Sequence, residues 1–261
     1  MKRLARTSIE WIAAVISGTF RHRLKHTADK NPLYVNLGSA HVAPTAWLNL
    51  DRTVNILIDR VPALPQALRR LGILRQEQYD HFREGLWRRV HYWDAHYPIP
   101  LKNDVATAVY SSHLLEHLDP ATASNLLAEC YRVLQPGGVL RVVVPDMYRI
   151  NKEYVSVMDQ VTRSEIGLVD DVVFLEKRMP AADVPTAFAA EYYDPDPQRQ
   201  RSFGHRWMYD KWSLHSALRR VGFDSIRECR FREGQTPDLD QLDHRPENSI
   251  HVEAIKPGPP A

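Results

Sequence analysis

The sequence predicts an α/β fold built on a largely parallel sheet, and three observations carry that expectation. Residues 104–146 read strand (Val105 to Tyr110), polar turn, amphipathic helix, Leu-Gln-Pro-Gly-Gly and second strand (Val139 to Val144), the order of a crossover between parallel strands. Short apolar runs at 33–37, 47–51 and 90–93 each end in glycine or an acid, and in open α/β sheets ligands sit outside the carboxyl ends of strands. Two closing runs, Ser225 to Phe231 and Ser249 to Ile255, are joined through Gly234, Pro237 and Pro246 without a helical pattern, which permits an antiparallel pair at the sheet edge.

Each element follows from its residues. Ile9, Ile12, Ala13, Ile16 and Phe20 keep helical spacing between Lys2, Arg3 and Arg6 and the later Arg21, Arg23, Lys25 and His26. Residues 1–28 therefore read as a basic amphipathic helix that docks on the domain or meets a membrane surface or protein partner. Its run from Trp11 to Val15 is far too short to span a bilayer. The main domain is expected over 29–256, with insertions at about 53–89 and 158–203, and 257–261 as a tail. The first insertion belongs to a basic stretch, 52–89, with eight arginines against Asp59, Glu77, Asp80 and Glu84. Pro62, Pro65, Leu64, Leu68, Leu71 and Leu74 suggest a helical flap there, read as a solvated arginine face or as a contact for an acidic substrate.

Ala123, Leu126, Leu127, Cys130 and Leu134 form one apolar stripe, predicting a helix over 120–134 that Pro120 opens and Pro136, Gly137 and Gly138 stop. Met147 to Val157 follows as a helix, and the segment from Glu191 to Pro197 as part of an active-site lid. Trp212, Leu214, Leu218 and Val221 line a later helix ended by Gly222.

A formal charge of +2 with 25% charged residues describes an ordinary soluble chain and does not suggest a nucleic-acid partner. Cys130 and Cys229 are the two cysteines; each reads as a buried apolar thiol, which favours a reducing cytoplasm. No histidine or cysteine pair has zinc-site spacing in sequence, so no metal is expected.

The runs Ser111 to Leu118 and Glu129 to Asp146 resemble the middle of the Rossmann-like (class I) S-adenosylmethionine-dependent methyltransferases, specifically small bacterial ones. The resemblance extends with gaps from about Leu33 to Lys256. It implies a three-layer sandwich around a seven-stranded sheet, mostly parallel with an antiparallel last strand, and S-adenosylmethionine as cofactor. By resemblance, Gly38 and Ser39 form the turn that approaches the methionine part, Asp51 binds the ribose hydroxyls, Asp94 and Ala95 meet the adenine, and Ser111 and Ser112 lie near the reacting methyl group. Asn36 stands where that family carries an acid, and Ala40 where it carries a second glycine.

Methyl transfer to a hydroxyl needs alignment of donor and acceptor and a base to remove the proton. Histidine suits that role, making His113 the first catalytic candidate and His205 the second, with His117 behind them. Glu116 and His117 alternatively cap or tether the next helix. Gly204, Trp207 and Tyr209 border either the acceptor or the core. The expected acceptor is a small molecule or glycan, as in saccharide assembly. The other reading is a degenerate, non-catalytic member that serves as an interaction or assembly subunit.

Overall fold

The computed structural model describes residues 32–152, 155, 205–246 and 248–258. The basic N-terminal segment and the expected lid lie outside them. Seven strands form one sheet in the order β3-β2-β1-β4-β5-β7-β6. In chain order they are β1 (Tyr34–Leu37), β2 (Trp47–Asp51), β3 (Val90–Tyr92), β4 (Ala106–Ser112), β5 (Leu134–Pro145), β6 (Asp224–Cys229) and β7 (Ser249–Ile255). β7 runs antiparallel to both β5 and β6, while the other pairings are parallel. Chain direction reverses its lateral progress between β1 and β4, and such a switch point opens a crevice at the carboxyl ends of the two strands.

The helices are α1 (Asn55–Ile58), α2 (Leu64–Arg70), α3 (Gln76–Arg83), α4 (Pro120–Val133), α5 (Lys211–Val221) and α6 (Leu239–Leu242). Asp119 caps α4 by accepting the amides of Ala121 and Thr122, and Asp210 caps α5 through Ser213, each satisfying amides that a helix start leaves open. Alternation in β5 sorts the core. Leu140, Val142 and Val144 face α4 and α5 together with Leu126, Leu127, Leu214 and Leu218. Val139 and Val143 face the opposite side, with Tyr110, Trp47, Leu239 and Leu242. Burying these side chains is the main stabilising term.

Several expectations are corrected. α4 ends at Val133; Leu134 is already extended and pairs with Ala106 across a register shift in β4. The 52–89 connection forms three short helices and a 3-10 turn rather than one helix. Ile56, Leu74, Phe82, Trp87 and Val90 gather there into a small separate core, which leaves Leu71 exposed. Arg52, Arg83 and Arg88 pair with Asp94, Asp80 and Asp59, so part of the arginine excess is engaged locally. Trp212 is 58% exposed, resting on Lys211 and Tyr148 instead of in the core. Cys229 is only half-buried, unlike Cys130, because β6 is an edge strand with one face open.

The connection between β1 and β2, residues 38–46, contains no helix. Side chains hold it instead. Asn36 donates to Val42 O at 2.8 Å and to Asn49 Oδ1 at 3.0 Å, and Asn49 donates to Pro44 O at 3.0 Å. Both asparagines are buried, and this ladder supplies the bonds that a crossover helix would otherwise make internally.

Candidate active site at the carboxyl ends of β1, β2 and β4

Register places Leu37 of β1 beside Ser111 of β4, so Gly38 and Ser112 continue side by side into the crevice. Gly38 has φ +65°, and a Cβ there would come within 3.2–3.3 Å of the Leu114 side chain. Glycine is required both for the left-handed backbone and for the close approach. Its amide and that of Ser39 donate to Leu50 O at 2.9 and 3.2 Å. Ala40 takes φ 44° without being glycine, a conformation with a steric cost.

Asp51 ends β2 and fastens this turn. Its Oδ2 accepts the Ala40 amide at 2.8 Å and its Oδ1 the Thr53 amide at 2.6 Å. Burial raises its pKa, and amide bonds from Ala40, Thr53 and Arg52 together with the Arg52 charge oppose that rise only in part. Asp94 follows β3. Burial pushes its pKa up, but hydrogen bonds from the His96 amide and ring and the Arg52 guanidinium outweigh it, and the carboxyl sits below its ordinary value. The Asp94–Arg52 ion pair, 3.2 Å long, bridges the ends of β2 and β3. Ala95 packs against the main core.

Beyond β4 the chain turns sharply at His113, whose φ is 50°. A non-glycine residue in this region is uncommon, histidine less so than most. Its amide donates to Val143 O at 2.9 Å, Nδ1 lies 3.1 Å from Glu116 Oε1, and Nε2 lies 3.1 Å from Ser249 Oγ. Ser111 and Ser39 are buried, and neither hydroxyl has a hydrogen-bond partner among the described residues. Ser112 is half-buried.

His205 reaches the same end from the lead-in to α5. Amides of Arg206 and Trp207 donate to Glu116 O at 2.7 and 3.2 Å, and Tyr209 O accepts from Met147, so this segment is laid against the β4 turn. The His205 ring packs edge-to-face on His117 at 4.9 Å. Burial chiefly lowers the His205 pKa, opposed by Glu116 and assisted by His117 and His113. Burial and the Glu116 charge push the Tyr209 hydroxyl up to about 12. Tyr209 is core, whereas Trp207 is 47% exposed.

Gly38, Ser39, Asp51, Ser111, Ser112, His113 and His205 thus gather at one end of the sheet. Asp94 and Ala95 stand one strand further along, joined to Asp51 through Arg52. Sequence reasoning left three participants out: the Asn36–Asn49 ladder, Leu114 over Gly38, and Glu116 as the buried carboxylate that faces His113. A glutamate three residues after a histidine at a strand end was the available signal for the last.

Residues 72–142, from the middle of the flap through β3, β4 and α4 into β5, match the family described as "Methyltransferase domain". That match covers the middle of the chain, from 72 to 142. The strand order around it is the Rossmann-like arrangement of such enzymes, whose methyl donor is S-adenosylmethionine. Among solved structures, similar chains include a SAM-dependent methyltransferase from Thermotoga maritima (13% identity, TM-score 0.39, 86% of this chain and 82% of that one). A second is a SAM-dependent methyltransferase from Archaeoglobus fulgidus (15% identity, TM-score 0.42, 95% and 94%). Human N-acetylserotonin methyltransferase in complex with SAM is a third (13% identity, TM-score 0.39, 87% and 48%). No curated protein matches the chain. Among the described residues no helix is long and apolar enough to cross a membrane.

Proposed function

We propose that this methyltransferase domain moves a methyl group from S-adenosylmethionine to a hydroxyl of a small-molecule or saccharide-type acceptor. The observation that carries the reading is the convergence of the Gly38 turn, the Asp51 carboxylate and His113 at the β1–β4 switch point. The residues fit the donor. Gly38 gives the turn its left-handed backbone, the buried hydroxyls of Ser39 and Ser111 lack partners among the described residues, and Asp51 offers further lone pairs beside its two amide bonds. Asp51 would hold ribose hydroxyls, Asp94 and Ala95 would border the adenine, and Ser111 and Ser112 would line the space near the sulfonium. The cofactor, when bound, supplies an electrophilic methyl group on a positively charged sulfur.

The chain's own task is then alignment and removal of one proton. His113 is placed for it. Nδ1 lies against buried Glu116, and Nε2, on the other side of the ring, would take the acceptor proton, exchanging its contact with Ser249 for one with the acceptor. His205 is the alternative base at the same end. Two observations favour a second reading, a non-catalytic assembly subunit: Ala40 adopts a positive φ where glycine would be unstrained, and the β1–β2 connection has no helix.

Calorimetric titration with S-adenosylmethionine and its demethylated product separates the two readings. Micromolar binding, about −8 kcal/mol, weakened at least about tenfold in Asp51→Asn, is expected. Absence of binding for both ligands in the folded protein would overturn the enzyme reading in favour of the subunit.

A further inference from the structure

Behind the β4 turn lies a second chemical grouping, which takes in His205 and the Glu116 that borders His113. Glu116, His117 and His205 each offer one ligand atom, and the three atoms lie within 4.8 Å of one another. With bonds of about 2.1 Å a tetrahedral metal holds its ligand atoms about 3.4 Å apart, so side-chain rotations that draw the three atoms in from within 4.8 Å close the set. Two chain segments bring the ligands together before any ion arrives, because Arg206 and Trp207 amides bind Glu116 O. The His117 and His205 rings are already in contact, with centroids 4.9 Å apart.

The carboxylate gives the independent pointer. Glu116 is 0% exposed, and neither of its oxygens has a hydrogen-bond partner among the described residues. Its contact with His113 Nδ1, 3.1 Å from Oε1, lacks hydrogen-bond alignment. A buried carboxylate left in that condition is costly, and a cation among Glu116, His117 and His205 would satisfy it.

We propose that Glu116, His117 and His205 bind a divalent transition metal, with Zn2+ the ion best suited to two imidazoles and one carboxylate. His113 borders the site through Glu116, as outer-shell histidines and carboxylates commonly do. Three protein ligands leave one position of a tetrahedral ion for water or a substrate oxygen. The ion clips the lead-in of α5 to the end of β4, and His205, with its lone pair engaged, leaves proton transfer to His113. The site stands independently of the methyl-transfer reading.

The test uses full-length, tag-free protein stripped with a chelator, titrated with ZnCl2 by calorimetry and with CoCl2 by visible absorption. One ion per chain is expected, with ligand-field bands for Co2+, and affinity at least about tenfold weaker in His117→Ala, His205→Ala and Glu116→Gln. Circular dichroism checks each fold. Should Glu116→Gln not fold, the half-buried His117 carries the comparison. No stoichiometric uptake of either ion, or uptake unchanged in His117→Ala and His205→Ala, would overturn the site.

Discussion

Two regions of this molecule bury carboxylates completely, and they treat them in opposite ways. On one face of β5, Arg141 is 0% exposed and its guanidinium donates to Asp243 Oδ1 at 3.2 Å and Oδ2 at 2.5 Å, Glu253 Oε1 at 3.5 Å, Glu233 O at 3.0 Å and Arg230 O at 3.1 Å. Every N–H of the group thereby has an acceptor. Asp243 also takes the Arg232 amide, and Glu253 takes Arg227 and the amides of Gln235 and Thr236. Even Gly234 belongs to the arrangement, since a Cβ there would collide with the Glu253 carboxylate. At the carboxyl end of β4, Glu116 is equally buried but has histidines around it and no hydrogen bond among the described residues to its oxygens. A satisfied network holds loops 230–236 and 243 to the sheet; an incompletely satisfied carboxylate marks a place built for something else.

The largest effect should come from breaking the satisfied side. Asp243→Asn keeps the shape but removes the countercharge, leaving the Arg141 charge with Glu253 at 3.5 Å. A stability loss of about 3–5 kcal/mol is expected, because one half of a buried pair is stranded. Urea denaturation with an unchanged slope would measure it. A loss below about 1 kcal/mol would mean that water relaxes the site and that the contrast with Glu116 is overdrawn.

Glu253→Gln is a milder break. Its neutral amide weakens acceptance from Gln235 and Thr236 and loses the Arg227 pair, with an expected cost of about 1–3 kcal/mol at neutral pH. The pH dependence has a definite sign. Burial pushes the Glu253 pKa up, but Arg227 and the two amides win, and it lies below its ordinary 4.5. A group depressed on folding contributes its stability fully above the unfolded pKa and loses it as pH falls through the folded one. The wild-type chain should therefore lose stability below about pH 4.5 more steeply than Glu253→Gln, measured as denaturation midpoints from pH 6 to 3 on the order of one-unit steps. Parallel curves would remove Glu253 from the acid response.

The comparison also shows what can be read from a chain. The crossover at 104–146 was legible because the apolar spacing and the Pro120 start are local signals. The turn at Gly38, the acid at Asp51 and the histidine after β4 were legible for the same reason, each ending a short apolar strand. Buried polar pairing was not. Arg141 sits in a run of valines that reads as plain strand, and its partners Asp243 and Glu253 come from remote segments. Helix-period reasoning carried Leu134 into α4, although Leu134 already pairs with Ala106. The grouping of Glu116, His117 and His205 was not readable either, because His117 and His205 are distant in sequence and meet where the α5 lead-in hydrogen-bonds to Glu116 O.

The smallest expected effect is the sharpest test of the contrast. In ion-free protein, Glu116→Gln removes a buried charge that has no hydrogen-bonded compensation, so stability should stay within about 1 kcal/mol of wild type and move upward if at all. The amide can also donate to neighbouring acceptors, which the carboxylate cannot. Adding Zn2+ then separates the two proteins. Ligand at about 100 times its Kd stabilises the wild type by about 2.7 kcal/mol, whereas Glu116→Gln should respond little. Thermal denaturation with and without the ion reads both quantities in one experiment. A loss of about 3 kcal/mol in the ion-free variant would instead place Glu116 beside Asp243 as a partner the fold itself depends on.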